Sequence, residues 1–135
     1  MLESEMVKNS VLFLNSQNRF PVIKQEVPFL SRCIDLVLID SKGRIISIEF
    51  KINNWRHAIE QACNHKLGSD KAYICIPKRT ITDSLSSAIK DAGIGLLFYD
   101  SQKDEPIYEV ISPPVDRTNI TAFKQILLSN LHRLK

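Results

Sequence analysis

The stretch RCIDLVLIDSKGRIISIEFKINN, residues 32–54, decides how the chain folds. Two runs rich in branched aliphatic residues, CIDLVLID and RIISIEFKI, flank Ser41-Lys42-Gly43, the composition of two strands joined by a tight turn. Three-residue hairpin loops favour glycine at their last position, in the left-handed conformation, which centres the turn on Lys42 with Asp40 facing Arg44. Counting outward, Ile39 faces Ile45, Val37 faces Ser47 and Asp35 faces Glu49. Two carboxylates become cross-strand neighbours, with β-carbons roughly 5 Å apart.

Like charges directly opposite one another are destabilising, and more so when desolvated. One acid keeps its proton, a cation sits between them, or that end of the sheet is wet. Lys51 lies two residues beyond Glu49 on the same expected face and supplies one positive charge. A hard divalent cation would supply the rest, because magnesium commonly uses one or two carboxylates together with water and substrate phosphate. Alternation of Ile46, Ile48, Phe50 and Ile52 with Ser47, Glu49 and Lys51 also describes a strand with one solvated face. The cation reading is favoured because Asp35 is expected to share a face with Val37 and Ile39, set against Ile45, which makes that face apolar at the turn end.

Outward from the hairpin, Val7, Val11 and Leu14 form one stripe with Met6, Ser10 and Phe13 beside it, predicting an amphipathic helix over residues 2–15. VIKQEVPFL reads as a first strand, so the hairpin completes a three-stranded meander. Trp55, Ile59, Ala62 and Cys63 predict a helix over 53–68 ending at Gly68. AYICIP reads as a strand covered on both faces, 82–92 as a helix with Leu85, Ala88, Ile89 and Ala92 inward, and GIGLLFYD as a fifth strand. Strands that each follow a helix imply parallel crossovers on a mixed sheet. Residues 101–118, with Pro106, Pro113 and Pro114, read as a connection, and 119–135 as a helix striped by Ile120, Phe123, Ile126, Leu127, Leu131 and Leu134. That last helix packs on its own domain or on a partner, including a second copy of the chain.

At 135 residues and 44% apolar content, one domain with one sizeable core is expected. Cys33, Cys63 and Cys75 have no CxxC spacing and sit among apolar residues, so reduced thiols and a cytoplasmic protein are expected. The N-terminal MLESEMVKNSVLFLN has acids where a signal peptide needs bases, and no apolar run reaches membrane-spanning length. The net charge of +3 is unevenly placed: residues 49–79 hold six bases (Lys51, Arg56, Lys66, Lys71, Lys78, Arg79) against three acids, while the remainder is balanced. Such a segment suits a polyanion partner or a solvated helix face.

An acid inside a strand, a hairpin of this length, and Glu49-Phe50-Lys51 in an apolar strand before a helix together resemble the PD-(D/E)xK nuclease superfamily, over roughly residues 1–100. Ile34 stands where the motif's name has proline. The resemblance implies a restriction-endonuclease-like α/β fold of three layers: a mixed sheet of about five strands flanked by helices, in the order αβββαβαβ with a C-terminal helix added. It also implies a magnesium-dependent endo- or exonuclease, with manganese as a substitute, for which DNA is favoured over RNA as substrate and structure-selective cutting in repair, recombination or restriction is a fitting role. A catalytically silent module of the same fold, binding nucleic acid or a protein, is the alternative. In the family's terms, Asp35, Glu49 and the main-chain carbonyl of Phe50 hold the metal, with Glu3 or Glu26 as a further acid, and Lys51 serves catalysis. Some relatives add a glutamine on the following helix, where Gln61 stands, flanked on the helical wheel by Asn54, Ala58 and His65. Arg32, Arg56, Lys66, Lys71, Lys78 and Arg79 are candidates for phosphate contacts. His57 and His65 lack metal-pair spacing and are expected on the helix surface.

Overall fold

The computed structural model describes residues 1–114 and 119–134. Its elements in chain order are α1 (Glu3–Ser16), β1 (Val22–Phe29), β2 (Arg32–Ile39), β3 (Ile45–Phe50), α2 (Trp55–His65), β4 (Lys71–Pro77), α3 (Asp83–Ala92), β5 (Gly95–Tyr99), β6 (Ile107–Ile111) and α4 (Thr121–Arg133). The six strands form one mixed sheet in sequence order, antiparallel for β1-β2-β3, parallel for β3-β4-β5, and antiparallel again for β5-β6.

The hairpin register follows the turn. Ile39 pairs with Ile45 and Val37 with Ser47, Gly43 takes a φ of 78°, and the Asp40 carboxylate accepts from the main chain of Lys42 and Arg44. Side-chain alternation then assigns layers. Leu36, Leu38, Ile46, Ile48, Phe50, Tyr73, Cys75, Leu97 and Tyr99 pack with Met6 and Leu14 of α1 on one face. Ala72, Ile74, Ile76, Leu96 and Phe98 meet Ala58, Ala62, Leu85 and Ile89 of α2 and α3 on the other. On that second face, at the β1-β2 end, Leu127 and Leu131 of α4 cover Val27, Phe29, Ile34, Val37 and Ile45. The result is three layers, with α1 on one side and α2, α3 and α4 on the other.

Several expectations need correction. The sheet has six strands rather than about five, because Ile107–Ile111, inside the segment read as connection, pairs with β5. Residues 115–118 of that segment and residue 135 lie outside the described residues. The fully buried line of α1 is Met6-Ser10-Leu14, with Val7, Val11 and Phe13 only partly covered. α2 stops at His65, before the expected Gly68, and it turns Ala58, Ala62 and His65 inward while Cys63 is exposed. Cys33 is exposed as well, and only Cys75 is buried. α4 packs on its own domain, leaving Ile120 and Ile126 of its expected stripe exposed. No helix among the described residues is long and apolar enough to cross a membrane.

Candidate active site

β2 changes phase at Asp35. Leu36 and Leu38 belong to the core under α1, and in an unbroken strand Ile34 would join them, yet Ile34 packs with Val37 under α4. β1 changes phase at the opposing position, since Ile23 packs under α1 while Val27 and Phe29 pack under α4. The residue between is Glu26, with a φ of 53°, in the left-handed region that glutamate rarely adopts. Pairing keeps its register on both sides, from Gln25 with Leu36 to Val27 with Ile34, so each strand has one irregular residue and the two acids face each other across the break. Irregularities of this kind redirect side chains, and here both strands direct an acid. Asp35 therefore does not share the face of Val37 and Ile39, as an ideal strand would require.

Asp35 instead lines a cleft of about 260 Å³ beneath the start of α1, together with Glu3, Ser4, Val7, Gln25, Glu26 and Phe50. Glu49 points the opposite way, toward α2, and is only 3% exposed. The two acids meet through the main chain at the end of β3. The Asp35 N–H donates to Glu49 Oε1 at 3.3 Å, and the Phe50 N–H donates to Asp35 Oδ2 at 2.9 Å. Glu3 Oε1 accepts from the Ile52 N–H at 3.3 Å, joining α1 to the same strand end. Burial, followed by the nearby Glu49 charge and a lesser contribution from Glu26, pushes the Asp35 carboxyl up from its ordinary 3.8 to about 7, against the lowering effect of the Phe50 N–H. The site is thus short of positive charge.

Lys51 follows directly, half-buried, its N–H donating to the Cys75 carbonyl at 3.0 Å; its ammonium has no hydrogen bond or ion pair among the described residues. Beyond it opens a groove of about 410 Å³ at the carboxyl ends of β3 and β4, lined by Asn53, Asn54, Trp55, Arg56, Lys78 and Arg79 among others. Ligands of open α/β sheets bind at this end of parallel strands. Arg56 stacks 4.4 Å from the Trp55 ring centre and donates to Ser84 Oγ, so its guanidinium is held in place. Arg32 is exposed at the start of β2.

Other candidates fall elsewhere. Lys66 lies at the far end of α2 with Nζ on the Ala92 carbonyl, and Lys71 opens β4 opposite Ile46, so both sit at the amino end of the parallel strands. Gln61 is half-buried on α2 without a side-chain hydrogen bond among the described residues. His65, expected at the surface, is 1% exposed, and its Nε2 lies 2.8 Å from Glu49 Oε1. The spacing from Ala58 and Ala62 was its signal. Two small residues let the helix approach the sheet, and a polar residue one turn further on that stripe needs a buried partner.

Asp35 and Glu49 offer carboxylate oxygens, the donor type a magnesium-type ion takes, and such an ion would relieve their mutual repulsion. No group of three or more His, Cys, Asp or Glu among the described residues is arranged to hold a metal.

No family model and no curated protein matches the chain. Solved structures do. A protein of unknown function from Silicibacter pomeroyi superposes with a TM-score of 0.68 at 18% identity, over 98% of this chain and 86% of that one. A repair endonuclease from Pyrococcus abyssi gives 0.51 at 21% identity, over 84% of this chain and 49% of that one. EndoMS, in a complex with dsDNA, gives 0.52 at 19%, over 76% of this chain and 47% of that one. The chain spans about half the length of these two proteins. An XisH family protein from Nostoc punctiforme gives 0.55 at 15% identity, over 79% of this chain and 99% of that one. At these identities the likeness is one of fold: the chain has an α/β architecture similar to that of known nucleases.

Proposed function

We propose that this chain is a metal-dependent nuclease of the PD-(D/E)xK type, an endo- or exonuclease hydrolysing phosphodiester bonds, with DNA favoured over RNA. The observation that carries the reading is the meeting of Asp35 and Glu49 at the end of β3, one residue before Lys51, beside a groove lined by Arg56, Lys78 and Arg79. The fold likeness to a repair endonuclease and to EndoMS, whose structure contains dsDNA, supports the same class and favours DNA as partner.

Asp35, Glu49 and the Phe50 carbonyl would hold magnesium, with manganese as a substitute, and Glu26 or Glu3 would reach the ion through water. Bound there, the ion supplies charge neutralisation at the phosphate and lowers the pKa of a coordinated water. Lys51 orients the attacking water and offsets charge growing on the phosphate oxygens. Arg56, Lys78 and Arg79 grip the phosphate backbone without reading bases, and Arg32 does the same on the other side of the acids. Contacts of this kind favour structure-selective or nonspecific cleavage.

The test is cleavage of labelled single-stranded, duplex and branched DNA, and of RNA, across a magnesium and manganese titration, with wild type, Asp35→Ala and Lys51→Ala. Cutting by wild type that both substitutions abolish is expected; cutting that survives both refutes the assignment. The lack of a three-ligand group among the described residues favours one second reading, a silent module of nuclease fold that binds nucleic acid or a protein. Its mark is metal-independent binding of DNA, unchanged in Lys51→Ala, with no cleavage.

A further inference from the structure

Two polar side chains of β3, Ser47 and Glu49, point toward α2 and are almost wholly buried. Both are tied to one residue. His65 Nε2 lies 2.8 Å from Glu49 Oε1, and with the carboxylate oxygen as acceptor the hydrogen is on this nitrogen. Ser69 Oγ donates to the His65 carbonyl at 2.8 Å and, its hydrogen thus used, accepts from Ser47 Oγ at 2.9 Å. Strand and helix end are joined by a closed loop of buried polar bonds running Ser47, Ser69, His65, Glu49.

The other ring nitrogen, His65 Nδ1, is buried with no partner among the described residues. An orphaned buried polar atom is costly, and a hydrophobic side chain would have filled the space without it. Among the described residues the ring's side-chain partner is Glu49, and its effect there is geometric: Oε1 is engaged by His65 and by the Asp35 N–H, which fixes how the carboxylate sits beside Asp35.

We propose that His65 is a positioning residue of this site, fixing the Glu49 carboxylate so that one oxygen is presented to a divalent cation. The proposal rests on the metal-dependent reading above. Residues that hydrogen-bond a metal ligand fix its orientation, and their loss costs metal affinity even though they never touch the ion.

The experiment is Mn2+ titration calorimetry on the full chain as wild type, His65→Leu and His65→Gln, with metal-free thermal unfolding of each. Leucine fills the space without a donor, whereas glutamine returns an N–H at similar reach. His65→Leu is expected to weaken Mn2+ binding by roughly tenfold to a hundredfold, and His65→Gln to recover most of it. A folded His65→Leu that binds Mn2+ like wild type overturns the proposal and leaves the nuclease reading intact. Wild type that binds no Mn2+ overturns both. Should His65→Leu fail to fold, the ring 15N resonances of His65 in wild type decide: movement on adding Mg2+ supports the coupling, and an unmoved ring refutes it.

Discussion

Replacing Asp35 with asparagine should make the metal-free protein more stable at neutral and alkaline pH, although it removes a candidate catalytic group. The native state holds the Asp35 proton up to about pH 7, whereas the unfolded chain releases it near the ordinary 3.8. Between those values the native state binds more protons, so stability falls as pH rises; the contribution is fully present below about pH 4 and lost above about pH 7. At about 1.4 kcal/mol for each tenfold change, the ceiling is about 4 kcal/mol. Asp35 is only half-buried, and solvent screening brings the expected effect nearer 2 kcal/mol. Asparagine keeps an oxygen for the Phe50 N–H and offers Glu49 an amide donor in place of a charge. Thermal unfolding at pH 4 and pH 8 in chelator measures this. Asp35→Asn should match wild type at pH 4 and melt about 6 °C higher at pH 8, and Mg2+ should raise the wild-type midpoint while leaving the variant unmoved. A variant less stable than wild type at pH 8, or with the same pH slope, refutes the account of strained like charges.

Lys51→Ala should reduce cleavage by about 10²-fold to 10⁴-fold while leaving DNA affinity within a small factor, measured by single-turnover cleavage against fluorescence anisotropy. Alanine at Arg56, Lys78 and Arg79 together should weaken DNA binding and lower the slope of log affinity against log salt by up to about 3 on duplex, since each lost phosphate contact removes about 0.9. The same triple change leaves the melting temperature nearly unaltered, because these side chains are exposed and the Lys78–Asp100 pair spans 3.8 Å. Leu127→Ala should destabilise the fold by about 3 kcal/mol in urea unfolding, because Leu127 is fully buried against Val27, Phe29 and Ile34.

How much of this could be read from residues alone depended on whether a local rule governed each part. The Ser41-Lys42-Gly43 turn obeys one: glycine in the left-handed region fixed the pairing of Ile39 with Ile45, and the opposition of Asp35 and Glu49 followed by counting. The second crossover was equally local, since α3 turns Leu85 and Ile89 inward as its spacing predicts and carries its own cap, with Thr82 Oγ1 accepting from the Leu85 N–H. The phase change at Glu26 and Asp35 obeys no such rule. Glutamate in the left-handed region is a cost accepted by the assembled sheet, so counting put Asp35 on the correct row and the wrong face. β6 was hidden because its five residues lie between prolines, and its strand character comes from pairing with β5. His65 had a local signal in its spacing from Ala58 and Ala62, but a partner for a buried ring appears only when the strand opposite, with Glu49, is set against the helix.

The most direct test of the central claim is anomalous diffraction from crystals of this protein grown with Mn2+. The account predicts a manganese peak bonded to carboxylate oxygens of both Asp35 and Glu49 at the end of β3, and its loss in Asp35→Asn. Crystals saturated with Mn2+ that show no ion at these two residues, or an ion held elsewhere that Asp35→Asn leaves in place, would contradict it.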